Sequence, residues 1–236
     1  MSFFFDESKI KAYVNQLFTE QTKDPDIHNT ISLIHPQIHF RYNSLNICLG
    51  KQGAGKTTFM LTELIKLSQL PHDQQPYKRI VYITNGPTDD ITFNTLKKSI
   101  KIPIMGLNFN DATSELANWF NSRENGKDHT FVIVEDASFL LMKDNPIWVD
   151  WVCKLRHLRM TLWINLHVWR SISTMIKTQI TTLFIFKGYS KEQLQHMYRQ
   201  SCVDADFKAV QYMYMMLQEH EVLKLSNIDG KMLLIK

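Results

Sequence analysis

The sequence predicts an α/β protein, with a mostly parallel central sheet between helical layers and a C-terminal hairpin. Three observations carry this. Short continuous apolar runs alternate with helical patterns, as expected of strands buried on both faces and joined by crossover helices. The run at 45–49 (LNICL) leads straight into residues 50–57 (GKQGAGKT) and then into a helical pattern. A second run, 131–134 (FVIV), ends in two adjacent carboxylates, Glu135 and Asp136.

Residues 50–57 fit G-x-x-x-x-G-K-[ST], the phosphate-binding P-loop, in the strand-to-helix context that the motif requires. Gly50, Gly53 and Gly55 let backbone wrap a phosphate without a Cβ in the way. Amides of Gln52, Gly53, Ala54, Gly55, Lys56, Thr57 and Thr58 then face the anion at a helix N-terminus. Lys56 adds a full charge at the β/γ-phosphates, and Thr57 offers a hydroxyl to Mg²⁺. The expected ligands are therefore ATP and Mg²⁺.

Composition excludes several classes. With 236 residues, 44% hydrophobic and 21% charged, the chain suits one sizeable globular domain and neither a disordered nor a fibrous one. A net charge of +4 permits a nucleic-acid partner without demanding one. Cys48, Cys153 and Cys202 lie far apart with no C-x-x-C spacing, which argues against a disulfide framework or a zinc site. They read as free thiols packed as small hydrophobes. The N-terminus lacks the basic region of a signal peptide, and no apolar run approaches the ~20 residues of a membrane span. The expectation is a soluble, intracellular protein.

In chain order, residues 6–20 suggest an amphipathic helix, 22–29 a polar linker, and 31–40 an edge strand or irregular cover. Residues 1–40 thus form an N-terminal segment before a domain at 41–236. The P-loop helix runs to Leu70 and stops at Pro71. Residues 79–84 (RIVYIT) read as a buried strand, 89–100 as a helix, 102–107 as a short strand and 112–120 as a helix. The strand at 131–134 carries its two acids where ligands collect in parallel sheets. There they suit a Walker B motif, which holds Mg²⁺ and orients the attacking water. By position, Glu135 is assigned to the metal and Asp136 to the water. A helix is expected from Asn145 to Arg159, with Ile147, Trp151 and Leu155 on one face. Strands follow at 161–166 (TLWINL, closing on His167) and 182–186 (TLFIF). Helices follow at 191–200 and 206–218. Residues 221–225 and 231–235 form the hairpin.

Between Trp151 and Lys191 stand seven basic residues and no acid: Lys154, Arg156, Arg159, Arg170, Lys177, Lys187 and Lys191. They suit a solvated face, a DNA-facing surface that neutralises phosphates without reading sequence, or arginine fingers reaching a neighbouring subunit's nucleotide.

Taken in order, these features resemble the poxvirus-type DNA-packaging ATPases, a viral branch of the FtsK–HerA superfamily of DNA-pumping motors. The match rests on the P-loop, on Tyr77-Lys78-Arg79 leading into RIVYIT, and on Glu135-Asp136. It rests further on Arg156-His157-Leu158, followed at once by the strand from Thr161, a polar end residue and TLFIF. It covers residues 45–186. The resemblance implies a three-layer RecA-like P-loop ATPase and a homo-oligomeric ring. It also implies non-sequence-specific movement of double-stranded DNA into a capsid, with vertex proteins as partners and no membrane. Host cytoplasm and the virion are the implied locations. His167 falls where the family places a glutamine-type sensor of the γ-phosphate, and a histidine can still donate from its ring. Lys177 stands where the family has arginine. Lysine lacks the bidentate fork, which leaves Arg156 or Arg170 as finger.

Three other readings compete. One is a non-viral DNA-transfer motor of the same superfamily. Nucleotide kinases share the P-loop but usually lack a strand between it and the acidic strand, an interval that RIVYIT occupies here. A GTPase would need N-K-x-D, and Asn125-Gly126-Lys127-Asp128 has the wrong order.

Overall fold

The structure is a computed structural model that describes residues 37–71, 75–86, 90–121, 128–136, 146–201, 203, 205–228 and 231–235. The helix expected at 6–20 and its linker lie outside the described residues.

Among the described residues eight strands form one sheet. They are β1 (Leu45–Leu49), β2 (Tyr77–Thr84), β3 (Ile104–Asn108), β4 (His129–Val134), β5 (Met160–Leu166), β6 (Ile180–Phe186), β7 (Val222–Ser226) and β8 (Met232–Ile235). Their spatial order is β3-β2-β4-β5-β1-β6-β7-β8. The first six run parallel, and β7 and β8 complete the sheet antiparallel. The C-terminal hairpin is thus as expected. The helices are α1 (Lys56–Ser68), α2 (Ile91–Ser99), α3 (Phe109–Asn121), α4 (Pro146–Cys153), α5 (Thr174–Thr178), α6 (Lys191–Gln200) and α7 (Phe207–Met216).

Alternate residues of each buried strand point to opposite faces, so the continuous apolar runs feed two cores. Leu45, Ile47 and Leu49 join Val132, Val134, Leu162 and Ile164 beneath Trp148, Trp151 and Leu194. Cys48, Phe131, Ile133, Trp163 and Phe184 face Met60, Leu64 and Leu67 of α1 and Phe93 of α2. Helices therefore cover both faces, which gives the three-layer α/β architecture. Residues 37–40 form no strand, but Ile38 and Phe40 are buried, and Phe40 meets Phe131 and Trp163 edge-on at 5.1 and 5.7 Å.

One expectation needs correction. The helix expected to reach Arg159 ends at Cys153. Residues 154–159 are turns, with Arg159 at φ 49°, because the chain must reverse there to place Met160 in register with Thr130 of β4. The apolar period through Leu155 continues past the helix only because Leu155 is buried in the turn. RIVYIT lies between the P-loop strand and the acidic strand in sequence, as read, but does not separate them in space. It lies on the far side of β4, and β5 is the interposed strand.

Cys48 is buried in β1, whereas Cys153 is exposed at the end of α4; both are free thiols. Cys202 lies outside the described residues. Among the described residues no helix is long and apolar enough to cross a membrane.

Candidate functional site

The six parallel strands end on one edge, and that edge collects the reactive side chains. Gly50 continues β1, and its N–H donates to Leu166 O of β5 at 3.1 Å. A Cβ on Gly50 would meet Phe186 Cβ at 3.0 Å and Ala54 Cβ at 3.1 Å, so close packing requires glycine here. The loop turns with Gly53 and Gly55 at positive φ, and Gly55 caps α1 at φ 100°. No side chain caps this helix start. Its first-turn amides lack intrahelical partners by helix geometry, so they and the helix dipole form a ready anion site.

Lys56 is buried. Its Nζ donates to Gly50 O (2.8 Å) and Lys51 O (3.1 Å) and lies 3.1 Å from His167 Nδ1. The same Nδ1 also lies 3.2 Å from Gly50 O, so the ring is seated between the loop carbonyl and the Lys56 ammonium. Its Nε2 lies 3.7 Å from Asp136 Oδ1, longer than a hydrogen bond. His167 is half-buried at the strand end rather than a core histidine. Its carbonyl accepts from Tyr189 OH at 3.2 Å.

Glu135 and Asp136 follow β4 directly. Asp136 is exposed at φ 49°, a conformation that aspartate tolerates better than most residues. Glu135 points inward. Its Oε1 accepts from Asn165 Nδ2 at 2.9 Å, and its Oε2 lies 3.5 Å from Thr57 Oγ1. Burial pushes its carboxyl up from the ordinary range, only partly opposed by Asn165, Thr57 and the Lys56 charge. Burial likewise pushes Lys56 down.

A fully buried carboxylate gives the contrast. Glu63 accepts from His39 N–H at 2.7 Å, meets His39 Nδ1 at 2.9 Å and pairs with Lys66 at 2.8 Å. Burial pushes it up too, but those partners more than offset this and hold it below the ordinary range. Glu63 is neutralised by the protein. Glu135 has only neutral hydrogen-bond donors, and among the described residues no cation stands within ion-pair distance of it.

A divalent cation fits that position. Mg²⁺ takes hard oxygens in octahedral geometry, with one or two protein carboxylates and the rest from phosphates and water. Neighbouring ligands on such an ion lie about 3 Å apart, given Mg–O distances of ~2.1 Å. Thr57 Oγ1 and Glu135 Oε2, at 3.5 Å, are close to that spacing. Among the described residues no group of three or more His, Cys, Asp or Glu could hold a metal unaided. A Mg²⁺ here would draw its remaining ligands from a substrate.

The structure thus brings together Lys56, Thr57, Glu135, Asp136 and His167 beside the loop of Gly50, Gln52, Gly53, Ala54 and Gly55. Thr58, in the first turn of α1, is exposed. Arg156 does not join them. It is exposed in the turn before β5, at the amino-terminal edge of the sheet. The seven residues of β5, at ~3.3 Å each, put it on the order of 20 Å away. The basic stretch forms no single face. Lys154 pairs with Asp150 at 2.7 Å. Lys177 is buried, donating to Gln200 Oε1 at 3.0 Å and lying 5.2 Å over the Trp169 ring, a packing role. Arg170 sits on the phosphate edge, lining a cavity of about 630 Å³ with Lys51, His167 and Tyr189.

Sequence reasoning missed Asn165. It is fully buried in β5, and its Oδ1 accepts from Trp163 Nε1 at 2.9 Å. An indole can only donate, so the amide is locked with Nδ2 toward Glu135. The available signal was a lone amide inside an apolar strand, which must find a partner. Asn165→Leu is expected to destabilise by about 1–3 kcal/mol in urea unfolding, since it strands both partners. The loss should grow as pH rises and Glu135 gives up its proton.

No family profile matches the chain, and neither does any curated protein. Solved structures do. The genome packaging NTPase B204 from Sulfolobus turreted icosahedral virus 2, in complex with ATP-gammaS, matches at TM-score 0.63 and 10% identity. The match covers 82% of this chain and 97% of that one. B204 in complex with AMP gives 0.64 and 11%, covering 82% and 96%. The cytoplasmic domain of the Type VII secretion ATPase EccC from Thermomonospora curvata gives 0.55 and 12%, covering 81% of this chain and 25% of that one. With the P-loop at the end of β1, the acids at the end of β4 and β5 between them, the chain has the fold of a P-loop NTPase.

Proposed function

We propose that this protein is a Mg²⁺-dependent ATPase that moves double-stranded DNA, packaging a viral genome of the poxvirus-like type as a homo-oligomeric ring. The observation that carries the reading is Glu135: a half-buried carboxylate with neutral hydrogen-bond donors, held 3.5 Å from the P-loop hydroxyl of Thr57. The phosphates of ATP lie on the amides of residues 52–58, with Lys56 at the β/γ end. Bound Mg²⁺ would neutralise charge between those phosphates, held by Thr57 and Glu135. Asp136 orients the attacking water, and His167, linked to Lys56, senses the γ-phosphate.

The fold shared with B204, itself a genome packaging NTPase crystallised with ATP-gammaS, supports the assignment. Arg156 stands at the wrong edge to serve its own site, so a finger role for it is intermolecular. Arg170, on the same edge as His167, is the second candidate. Capsid vertex proteins are the proposed docking partners, in the host cytoplasm or the virion.

The deciding experiment is ATP hydrolysis with and without double-stranded DNA, using Lys56→Ala and Glu135→Gln as controls. Turnover should rise severalfold with DNA, need an oligomer and vanish in both variants. Equal rates with and without DNA would remove the motor, and phosphate transfer to a nucleoside would favour a kinase.

A further inference from the structure

The polarity of a triphosphate on this loop is set by what flanks β1. On one side β5 leads to His167 and Asn165, and beyond it β4 leads to Glu135. The γ-phosphate end belongs there, with Lys56. The nucleoside must leave toward the other neighbour of β1, which is β6, and β7 beyond it.

On that side His220 leans on the loop. It precedes β7, its Nδ1 lies 3.3 Å from Ala54 O, and a Cβ on Gly55 would sit 3.3 Å from the same nitrogen. His220 holds φ 65°, in the left-handed region that histidine, like asparagine and aspartate, adopts more often than most residues. That turn sets an exposed ring against the phosphate loop.

A cavity of about 390 Å³ opens from Gly55 between this ring and the flank of α1. Phe59, Val222 and Ile235 supply apolar surface, and Thr62 stands at its mouth. That size and mixture fall within the range of small-molecule sites, ~300–1,000 Å³.

We infer that this cleft receives the base of the bound triphosphate, with the His220 ring as its stacking wall. The inference rests on the nucleotide reading above and adds where the nucleoside lies. Inorganic tripolyphosphate makes the same loop contacts but has no base, which separates the two claims.

The test is isothermal titration of the full chain with Mg-ATP and with Mg-tripolyphosphate. Wild type should prefer ATP. His220→Ala should weaken ATP binding about tenfold, the scale of one lost aromatic stack, and leave tripolyphosphate unchanged. Thr62→Trp, which fills the cleft from the surface, should do the same. Gln218→Ala, in the cavity on the other side of His220, should change neither. ATP affinity unaltered in both cleft variants, or an equal loss for both ligands, would overturn this inference and leave the nucleotide site standing. A wild-type chain that binds neither ligand would remove the nucleotide site and the inference together.

Discussion

Lys56→Ala is expected to abolish nucleotide binding and hydrolysis while leaving the free protein at least as stable as wild type. The Lys56 ammonium is buried and held by two backbone carbonyls and a ring nitrogen, and among the described residues no carboxylate is in direct contact with it. Burial lowers its pKa, so wherever it is charged in both states the folded protein bears a desolvation cost. Alanine removes that cost. It also removes the charge aimed at the phosphates, and the loss of one such electrostatic contact lowers kcat by about 10²-fold or more. Thermal melts separate the two effects. ATP with Mg²⁺ at 100 times Kd stabilises the wild type by ~2.7 kcal/mol, or roughly 5–10 °C at this chain length. In Lys56→Ala that shift should disappear, with the unliganded Tm equal or higher. Lys56→Arg should lose the shift as well, because a planar fork cannot take the single position between Gly50 O and Lys51 O. A variant that keeps the wild-type shift would show that Lys56 is not aimed at phosphate.

How much of this was legible in the sequence follows from how local each feature is. The P-loop is contiguous, so residue types and spacing announce the strand, the turn and the helix together. The acids could be read because an apolar run ends abruptly in Glu135 and Asp136 at a strand's carboxyl end. Sheet order is a different matter. RIVYIT lies between the two motifs in sequence and outside them in space, because crossover connections let strands insert out of order. The overlong helix toward Arg159 fails for a related reason: Leu155 keeps the helical period yet is buried from a turn. Asn165 was invisible as a functional residue because its importance lies in Trp163 and Glu135, the second of which is thirty residues away. The basic stretch looked like one surface only because sequence cannot tell that β5 carries its cations to opposite edges of the sheet.

Glu135→Gln is expected to cut hydrolysis by about 10²-fold or more, on the scale of losing a charged catalytic group, and to raise Tm. Both effects have one cause. The carboxyl is half-buried among neutral donors, and the water it loses raises its pKa above the unfolded value. A raised folded pKa means that the native state binds the proton more tightly than the unfolded chain does. This contribution to stability is full below the unfolded value and is lost as pH rises through the folded one. As pH rises, wild type therefore carries the growing penalty of a carboxylate whose desolvation Asn165, Thr57 and Lys56 only partly offset. Glutamine does not, and its amide still accepts from Asn165 and gains a donor toward Thr57. The variant's Tm should exceed wild type at pH 7.5, and the gap should close as pH falls below the unfolded carboxylate range. Mg²⁺ with ATP should stabilise wild type and narrow the gap at pH 7.5, because the cation supplies the charge that the protein withholds. Asp136→Asn, at an exposed position, should impair hydrolysis with no such change in Tm. If Glu135→Gln proved less stable than wild type at pH 7.5, the half-buried acid would already be neutralised within the chain, and the cation position it shares with Thr57 would have no basis.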